Sequence, residues 1–483
     1  MKHSLCLAVW AFLVPPWCNL VWGQTPVASL APVILNDARD TYPLGAEVEQ
    51  LDDPGGVLTI AEVSSGAASA RFRPHTSESF NLGLAESVSW FRFRLHNSSA
   101  QNVEWILEVS NPRLNNVSLY VFRSDSTARV WRSGNSVPYD EWPVDFRNPA
   151  FAFRLRQNME TTCYLRVDNR GASRFNVGLY TERAFHRHAL RIEIAWGFFY
   201  GAVVCLLLHN AVLMVALRDR TYFYCFVLIL SFLFYQASMN GTAFQWFWPS
   251  STWWADRSII FFYGMTFFFG LIFSRSFLEL HKQRSTADKL IVGLMIVCLT
   301  IAIGALGSHL AANFAAHVLA TLGPFIMAAI AAHCWASGYK PARVMMLAWL
   351  TYSLGSFYTV LATMRILPQT ISTEYAIPLG FTLTLLLFAL ALADRIRTVE
   401  LEYKAMLNRT VEERTRELTV AREDIKKLAE LMPICSSCKK IRDDKGYWNQ
   451  LESYLLKHTD LVFSHSICPD CAKELYPEHY RDM

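Results

Sequence analysis

At 483 residues, with 52% hydrophobic residues and a mean hydropathy of +0.19, the chain is too long for one ordinary core and too apolar for an average soluble protein. The net charge of +4 is small, and the basic residues form no stripe interleaved with exposed aromatics, which excludes a nucleic-acid groove as the expected function. The 11 cysteines are scattered over the N-terminus, the apolar runs and the C-terminus, with Cys163 alone between them, which excludes a disulfide framework.

Residues 1–23 start with Lys2 and His3, continue through an apolar run from Leu5 to Val14, and end on small Gly23. About ten apolar residues before Pro15 and Pro16 are too few to cross a bilayer, so a secretory signal peptide is expected.

From 30 to 185 the pattern is short alternation: SWFRFRL (89–95), VEWILEVS (103–110), NVSLYVFR (116–123), FAFRLR (151–156) and CYLRVDN (163–169). Alternation puts one face of each strand in a core and the other in water. Turn signals at Asn111-Pro112, Ser133-Gly134-Asn135 and Asn169-Arg170-Gly171 complete the expectation of an all-β, antiparallel sandwich of jelly-roll type. Trp90, Trp105, Trp131, Trp142 and Tyr139 could each stack on a ligand or belong to the core. Trp131, Trp142 and Tyr139 are the ligand-binding candidates, because they fall between strand signals.

Between 190 and 394 lie seven apolar stretches, near 193–217, 221–243, 258–280, 289–307, 312–336, 342–366 and 373–393, each long enough for a transmembrane helix. An odd number puts the two ends on opposite sides. Arg218, Arg220, Lys282, Arg284, Lys289, Lys340, Arg343, Arg395 and Arg397 fall on one side, and chiefly Arg257 and Arg365 on the other. That bias predicts a sandwich outside the membrane and a cytoplasmic C-terminus. The loop WFWPSSTWW (246–254) reads as an aromatic belt. His209, Asn210, Gln236, Asn240, His317 and His333 are polar residues within spans, as a transport path would need, but interhelical hydrogen bonding explains them as readily.

Residues 395–432 are rich in helix formers, and a heptad register runs through Leu407, Val411, Leu418, Ala421, Ile425, Leu428 and Met432, interrupted by Arg414. A connecting helix, paired in a parallel homodimer, is expected. In 433–483, ICSSC and ICPDC supply Cys435, Cys438, Cys468 and Cys471, a spacing suited to a structural Zn²⁺ ion in a small knuckle-like module. The competing reading is a dithiol redox switch.

Two stretches also carry a resemblance. WFRFRLHN, LEVSNPRLNNVSLYVF, the run through Pro143 and Arg147-Asn148 to FAFRL, and YLRVDNRG resemble the extracellular sensor domain of seven-transmembrane receptors with diverse intracellular signalling modules. FYGAVVCLLLHNAVL and RDRTYFYC are similar to that family's membrane domain. The resemblance implies a multi-domain receptor in a bacterial inner membrane, with a small-molecule or carbohydrate ligand outside. The string from PICSSCKKIRDDKGYW to FSHSICPDCAKELYPE resembles a small module at the C-termini of bacterial sensor proteins, which implies a signalling context and nothing catalytic. The tail carries no kinase, cyclase or phosphatase pattern, so the expected output is contact with a cytoplasmic signalling protein rather than an enzymatic reaction. The alternatives are a membrane redox or metal sensor and a transporter.

Overall fold

The computed structural model describes residues 31–99, 103–122, 127–283, 285–307, 309–363, 371–429 and 432–478. The expected leader at 1–23, together with Arg284 and Arg365, lies outside the described residues. The chain forms two compact units, Met1–Asp394 and Arg395–Met483.

The first unit begins with a two-sheet sandwich. One sheet has the strand order β4 (Arg73–Pro74), β3 (Glu49–Asp53), β5 (Phe80–Asn97), β10 (Glu160–Phe175), β7 (Asn116–Phe122), β8 (Ala128–Ser133), with β1 (Val33–Leu35) also on β5. The other has the order β2 (Thr41–Pro43), β11 (Val177–Thr181), β6 (Glu104–Val109), β9 (Ala150–Arg154). The pairings are antiparallel except that of β1 with β5, which is parallel.

Strand alternation builds the core. Phe91, Phe93 and Leu95 of β5, Leu165 and Val167 of β10, and Val117 and Leu119 of β7 meet Trp105, Leu107 and Val109 of β6 and Phe151 and Phe153 of β9. The intervening positions face outward. On the first sheet these are Val88, Trp90 and Tyr164, covered by Val63 and Phe72. Val63 sits in the short helix Ile60–Ser64, held by a capping box in which the Glu62 carboxylate accepts from Thr59 N at 2.8 Å. These bonds hold the Glu62 carboxyl below its ordinary value.

One expected turn is absent. Asn169-Arg170-Gly171 lies inside β10, whose Arg170 and Gly171 pair with Glu86 and Ala85 of β5. Residues 81–87, NLGLAES, alternate too weakly to read as a strand, so their partner read as a turn.

Among the described residues, seven helices are long and apolar enough to cross a membrane: Glu182–Leu217, Arg220–Met239, Thr252–Phe277, Thr286–Gly307, Ala315–Ala336, Ala342–Ala362 and Tyr375–Lys426. Their mutual core includes Phe232, Phe267, Phe273, Trp349, Phe381 and Phe388. Phe232 and Phe381 stack at 4.0 Å between ring centroids. The first helix starts eleven residues earlier than hydropathy indicated, at Glu182, with Thr181 as its N-cap. At 1.5 Å per residue its 36 residues span about 54 Å, well beyond a hydrocarbon core of about 30 Å.

In the second unit, residues 399–426 of the helix Ile371–Ala429 are exposed, including Leu407, Val411, Leu418 and Ile425 of the heptad register. A hairpin of β12 (Ile441–Arg442) and β13 (Trp448–Asn449) follows, then helices Leu451–His458 and Pro469–Leu475.

Candidate functional site: the seam between sandwich and bundle

The second sheet turns its outer face toward the first spanning helix. Ile106 of β6 and Ala150 pack with Phe146 and with Phe185 near the start of that helix. Glu108, two residues along β6 and therefore on the same face, is buried. Its carboxylate accepts from Asn148 Nδ2 at 2.7 Å and meets His188 Nε2 at 3.1 Å. His188 stacks on Tyr180 of β11 at 5.0 Å. The sheet and the helix are thus joined by an apolar contact and a polar one, side by side.

The segment 136–148 forms the second tie. Tyr139 and Trp142, expected as a ligand platform, are each only 9% exposed and pack instead on Phe244 of the short helix Thr242–Trp246, which follows the second span, and on Ala255 near the start of the third. Ring centroids lie 4.9 Å apart for Tyr139–Trp142, 6.1 Å for Tyr139–Phe244 and 6.0 Å for Trp142–Phe244. Tyr139 Oη donates to Asp145 at 2.7 Å, and Gln245 Nε2 donates to the same carboxylate oxygen at 3.1 Å. Burial, and then the Asp145 hydrogen bond, push the Tyr139 phenol far above its ordinary value, so it remains a neutral donor at physiological pH. Trp142 Nε1 donates to Val137 O at 3.1 Å. An aromatic between strands reads alike whether it faces a ligand or a neighbouring domain, which is why the sequence left both roles open. Trp105 belongs to the sandwich core and Trp90 to the outer cluster under Val63 and Phe72, and each is 1% exposed.

Further ties reach other helix ends. Asn115 Nδ2 donates to Asp256 Oδ1 at 3.0 Å, and Arg174 Nη2 to Ala362 O at 3.0 Å. The start of span one, the end of span two, the start of span three and the end of span six must all lie on one face if consecutive spans alternate direction. The sandwich contacts all four, so contact geometry and span count agree. At the opposite end, Arg343 meets Asp394 at 3.3 Å, and Arg275 binds Asp288 through two bonds of 2.5 and 3.0 Å.

Arg147 lies within the seam at 4% side-chain exposure. Its Nε is 3.7 Å from Glu193, and its guanidinium carbon is 5.4 Å from the centre of the Trp196 ring, both on the first helix. Burial lowers the guanidinium pKa, and the Glu193 charge opposes that shift. Gly241 permits the close approach: with φ +83°, an added Cβ would stand 2.7 Å from Pro112 Cβ and 3.0 Å from Arg147 O. Arg147-Asn148 appeared in the sequence only as part of a resemblance; nothing in its local pattern marked the arginine as buried.

Trp131 has a different setting. It lies on edge strand β8, partly exposed, with the Arg129 guanidinium carbon 4.7 Å from its ring centre and Phe153 at 6.2 Å. It lines an open cleft of about 750 Å³ with Arg129, Arg132, Val137, Glu141 and Ala152. The cleft therefore runs between the edges of the two sheets and is walled by the same segment that packs on the bundle. Val137 takes part in both: it lines the cleft and packs against the Tyr139–Trp142 cluster.

The second unit holds the four tail cysteines as two separate pairs. Backbone N–H groups of Cys438 and Ser437 and the Cys438 thiol bond to Cys435, lowering its pKa. The turn closes through Lys439, at φ +55°, whose N–H donates to Cys435 O at 3.0 Å. In the second pair, hydrogen bonds from the Cys471 N–H and thiol lower the pKa of Cys468, the N-cap of the helix Pro469–Leu475. Among the described residues, no three of His, Cys, Asp or Glu gather into a group able to hold a metal. His465 joins neither pair in such a group.

The family model described as 7TM diverse intracellular signalling matches residues 192–395. That described as 7TMR-DISM extracellular 2 matches residues 45–181. No curated protein matches the chain. A solved structure of TmCBM61 in complex with beta-1,4-galactotriose is similar over 29% of this chain and 85% of its own, at 10% identity; with a TM-score of 0.15 it carries no argument about fold or ligand. The two family models cover the sandwich and the seven-helix bundle between them, and the chain belongs to the seven-transmembrane receptors with diverse intracellular signalling modules.

Proposed function

We propose that this receptor binds a solute in the periplasm, in the cleft around Trp131, and reports it through the seven helices to a non-catalytic tail on the cytoplasmic side of a bacterial inner membrane. The observation that carries the reading is the shared wall: segment 136–148 borders the cleft on one side and packs on Phe244 and Ala255 on the other. A ligand that prefers one position of this wall shifts the receptor toward the matching state of the bundle. A carbohydrate-like ligand suits a tryptophan face with Arg129, Arg132 and Glu141 around it.

The test is a thermal-shift screen of the full-length protein in nanodiscs against neutral oligosaccharides and carboxylated sugars. A binder present at 100 times its Kd stabilises the folded state by about 2.7 kcal/mol. The wild-type midpoint should rise with at least one compound, and Trp131→Ala should lose the rise. A binder whose shift survives Trp131→Ala would place recognition elsewhere.

For the tail, we infer that Cys435, Cys438, Cys468 and Cys471 close round one Zn²⁺, each pair supplying one edge of the tetrahedron. Support comes from the N–H groups already directed at Cys435 and Cys468, which favour the thiolates a metal needs. The exposed heptad positions support a parallel homodimer, and the module would then present its surface to a signalling protein. The second reading, a redox switch, is favoured by the same pre-formed dithiols. Thiol titration separates the two: with zinc, all four tail thiols resist alkylation until a chelator is added. In a redox switch, the chelator changes nothing and oxidant alone removes the reactive thiols in pairs. Without metal, the lowered pKa values make Cys435 and Cys468 keep reacting with iodoacetamide at a pH where an ordinary thiol has stopped, while Cys163, fully buried, stays unreactive.

A further inference from the structure

Three polar atoms in the seam are buried and meet no hydrogen-bond partner: Arg147 Nη1, Tyr200 Oη and Asn240 Nδ2. They come from three places, the sandwich, the first spanning helix and the end of the second, and ring and backbone contacts bring them together. The Arg147 guanidinium lies over Trp196, whose ring centroid is 5.9 Å from that of Tyr200 and 5.8 Å from that of Tyr375. Gly241, next to Asn240, abuts the backbone of Arg147. The Tyr200 hydroxyl lies within reach of the Asn240 and Thr242 side chains, at looser geometry than a full hydrogen bond. The Asn240 amide is oriented by its oxygen, which accepts from Thr242 N at 3.2 Å and leaves Nδ2 pointing elsewhere.

Arg147 Nη1 and Asn240 Nδ2 can only donate and the Tyr200 hydroxyl can donate or accept, so an acceptor is the one partner that would serve all three. Burying a donor without an acceptor is unfavourable, more so when the group is charged, so three together call for an occupant. The nearest carboxylate, Glu193, is a loose partner: it reaches Nε and not Nη1, at 3.7 Å, and is half exposed. A carboxylate from solution could approach along the same side and take two guanidinium N–H groups in the bidentate manner that Glu193 does not achieve. Glu193 can then swing into water, which keeps the local charge balanced.

We propose that Arg147, Tyr200 and Asn240 form a binding site for a small carboxylate at the seam, distinct from the Trp131 cleft, in which the ligand replaces Glu193 on Arg147. The site lies where the sandwich is tied to the first helix, so its occupancy trades a link within the protein for a link to the ligand. It would therefore act on the same tie as the cleft ligand, whatever the identity of the latter.

The experiment uses full-length receptor in phosphatidylcholine nanodiscs, with acetate as probe, acetamide as its uncharged isostere and chloride at matched ionic strength. Expected is a saturable rise in unfolding temperature with acetate alone. Tyr200→Phe, which removes one hydroxyl and keeps the ring, should weaken the apparent acetate affinity about tenfold, as loss of one hydrogen bond to a charged group does. Glu193→Gln, which removes the competitor, should strengthen it. Equal responses to acetate and acetamide, no saturable response in the wild type, or an unchanged affinity in Tyr200→Phe would each overturn the proposal and leave water as the occupant. None of these outcomes bears on the Trp131 cleft, because Trp131→Ala should leave acetate binding untouched.

Discussion

Trp142→Ala should lower the stability of the receptor by about 3–5 kcal/mol, the usual cost of deleting a buried aromatic side chain. The size of the effect follows from its position. Trp142 fills the space between Tyr139 and Phe244, and its indole N–H is bonded to Val137 O, so alanine removes a ring contact on each side and leaves a carbonyl short of a donor. The loss should fall on the seam and not on the sandwich interior, whose core is made of other residues. Differential scanning of the full-length protein in nanodiscs, with limited proteolysis of segment 136–148 as a local readout, checks both parts. Tyr139→Phe is the control: it keeps the stack and gives up one hydrogen bond to Asp145, for about 1 kcal/mol. A Trp142→Ala protein that melts like the control, with the segment still protected, would show that the aromatic cluster does not hold sandwich to bundle.

Gly241→Ala should be nearly as damaging, by a different route. The backbone there has φ +83°, a left-handed conformation that costs a residue bearing a Cβ about 1–2 kcal/mol. The new methyl would also stand 2.7 Å from Pro112 Cβ and 3.0 Å from Arg147 O, and such overpacking typically costs a further ~1–3 kcal/mol. Neither neighbour is a flexible chain end that could move aside, so the sandwich must back away from the helix ends and Arg147 must shift. Gly293→Ala, in the fourth span, is the matched control: nothing lies within 4 Å of its added methyl and its φ is not positive. Alanine there should be neutral or favourable by about 0.5–1 kcal/mol. Thermal midpoints of the two variants, measured together, decide the matter; equal midpoints would mean that the close approach at Gly241 tolerates strain.

Much of the architecture was legible from the sequence because two periods dominate it. Strict alternation in WFRFRL and EWILEV reads as strands facing a core, and apolar runs of membrane-spanning length read as spans. What escaped was set by partners far away in the chain. NLGLAES became a strand because β10 pairs with it, and the first helix began at Glu182 because the outer face of β6 covers its early turns. The roles of Tyr139 and Trp142 were decided by Phe244 and Ala255, more than a hundred residues later. In the tail, CxxC spacing fixes the distance within a pair and says nothing of the distance between pairs. For the same reason, a buried arginine such as Arg147 cannot be told from a surface one by its neighbours in sequence.

The length of the first helix has a mechanical consequence. Only 11% of its most apolar window is buried against the rest of the protein, compared with 56% for the second and third spans, so it is the least confined of these three. Its outer turns are gripped by the sandwich through Phe185, and the remainder runs on to Leu217. A rod of about 54 Å pivoting by about 2° moves its far end by roughly 2 Å, the scale of helix shifts at which switching proteins change state. Under the proposed function, a ligand need turn the sandwich only slightly, because leverage supplies the rest of the stroke.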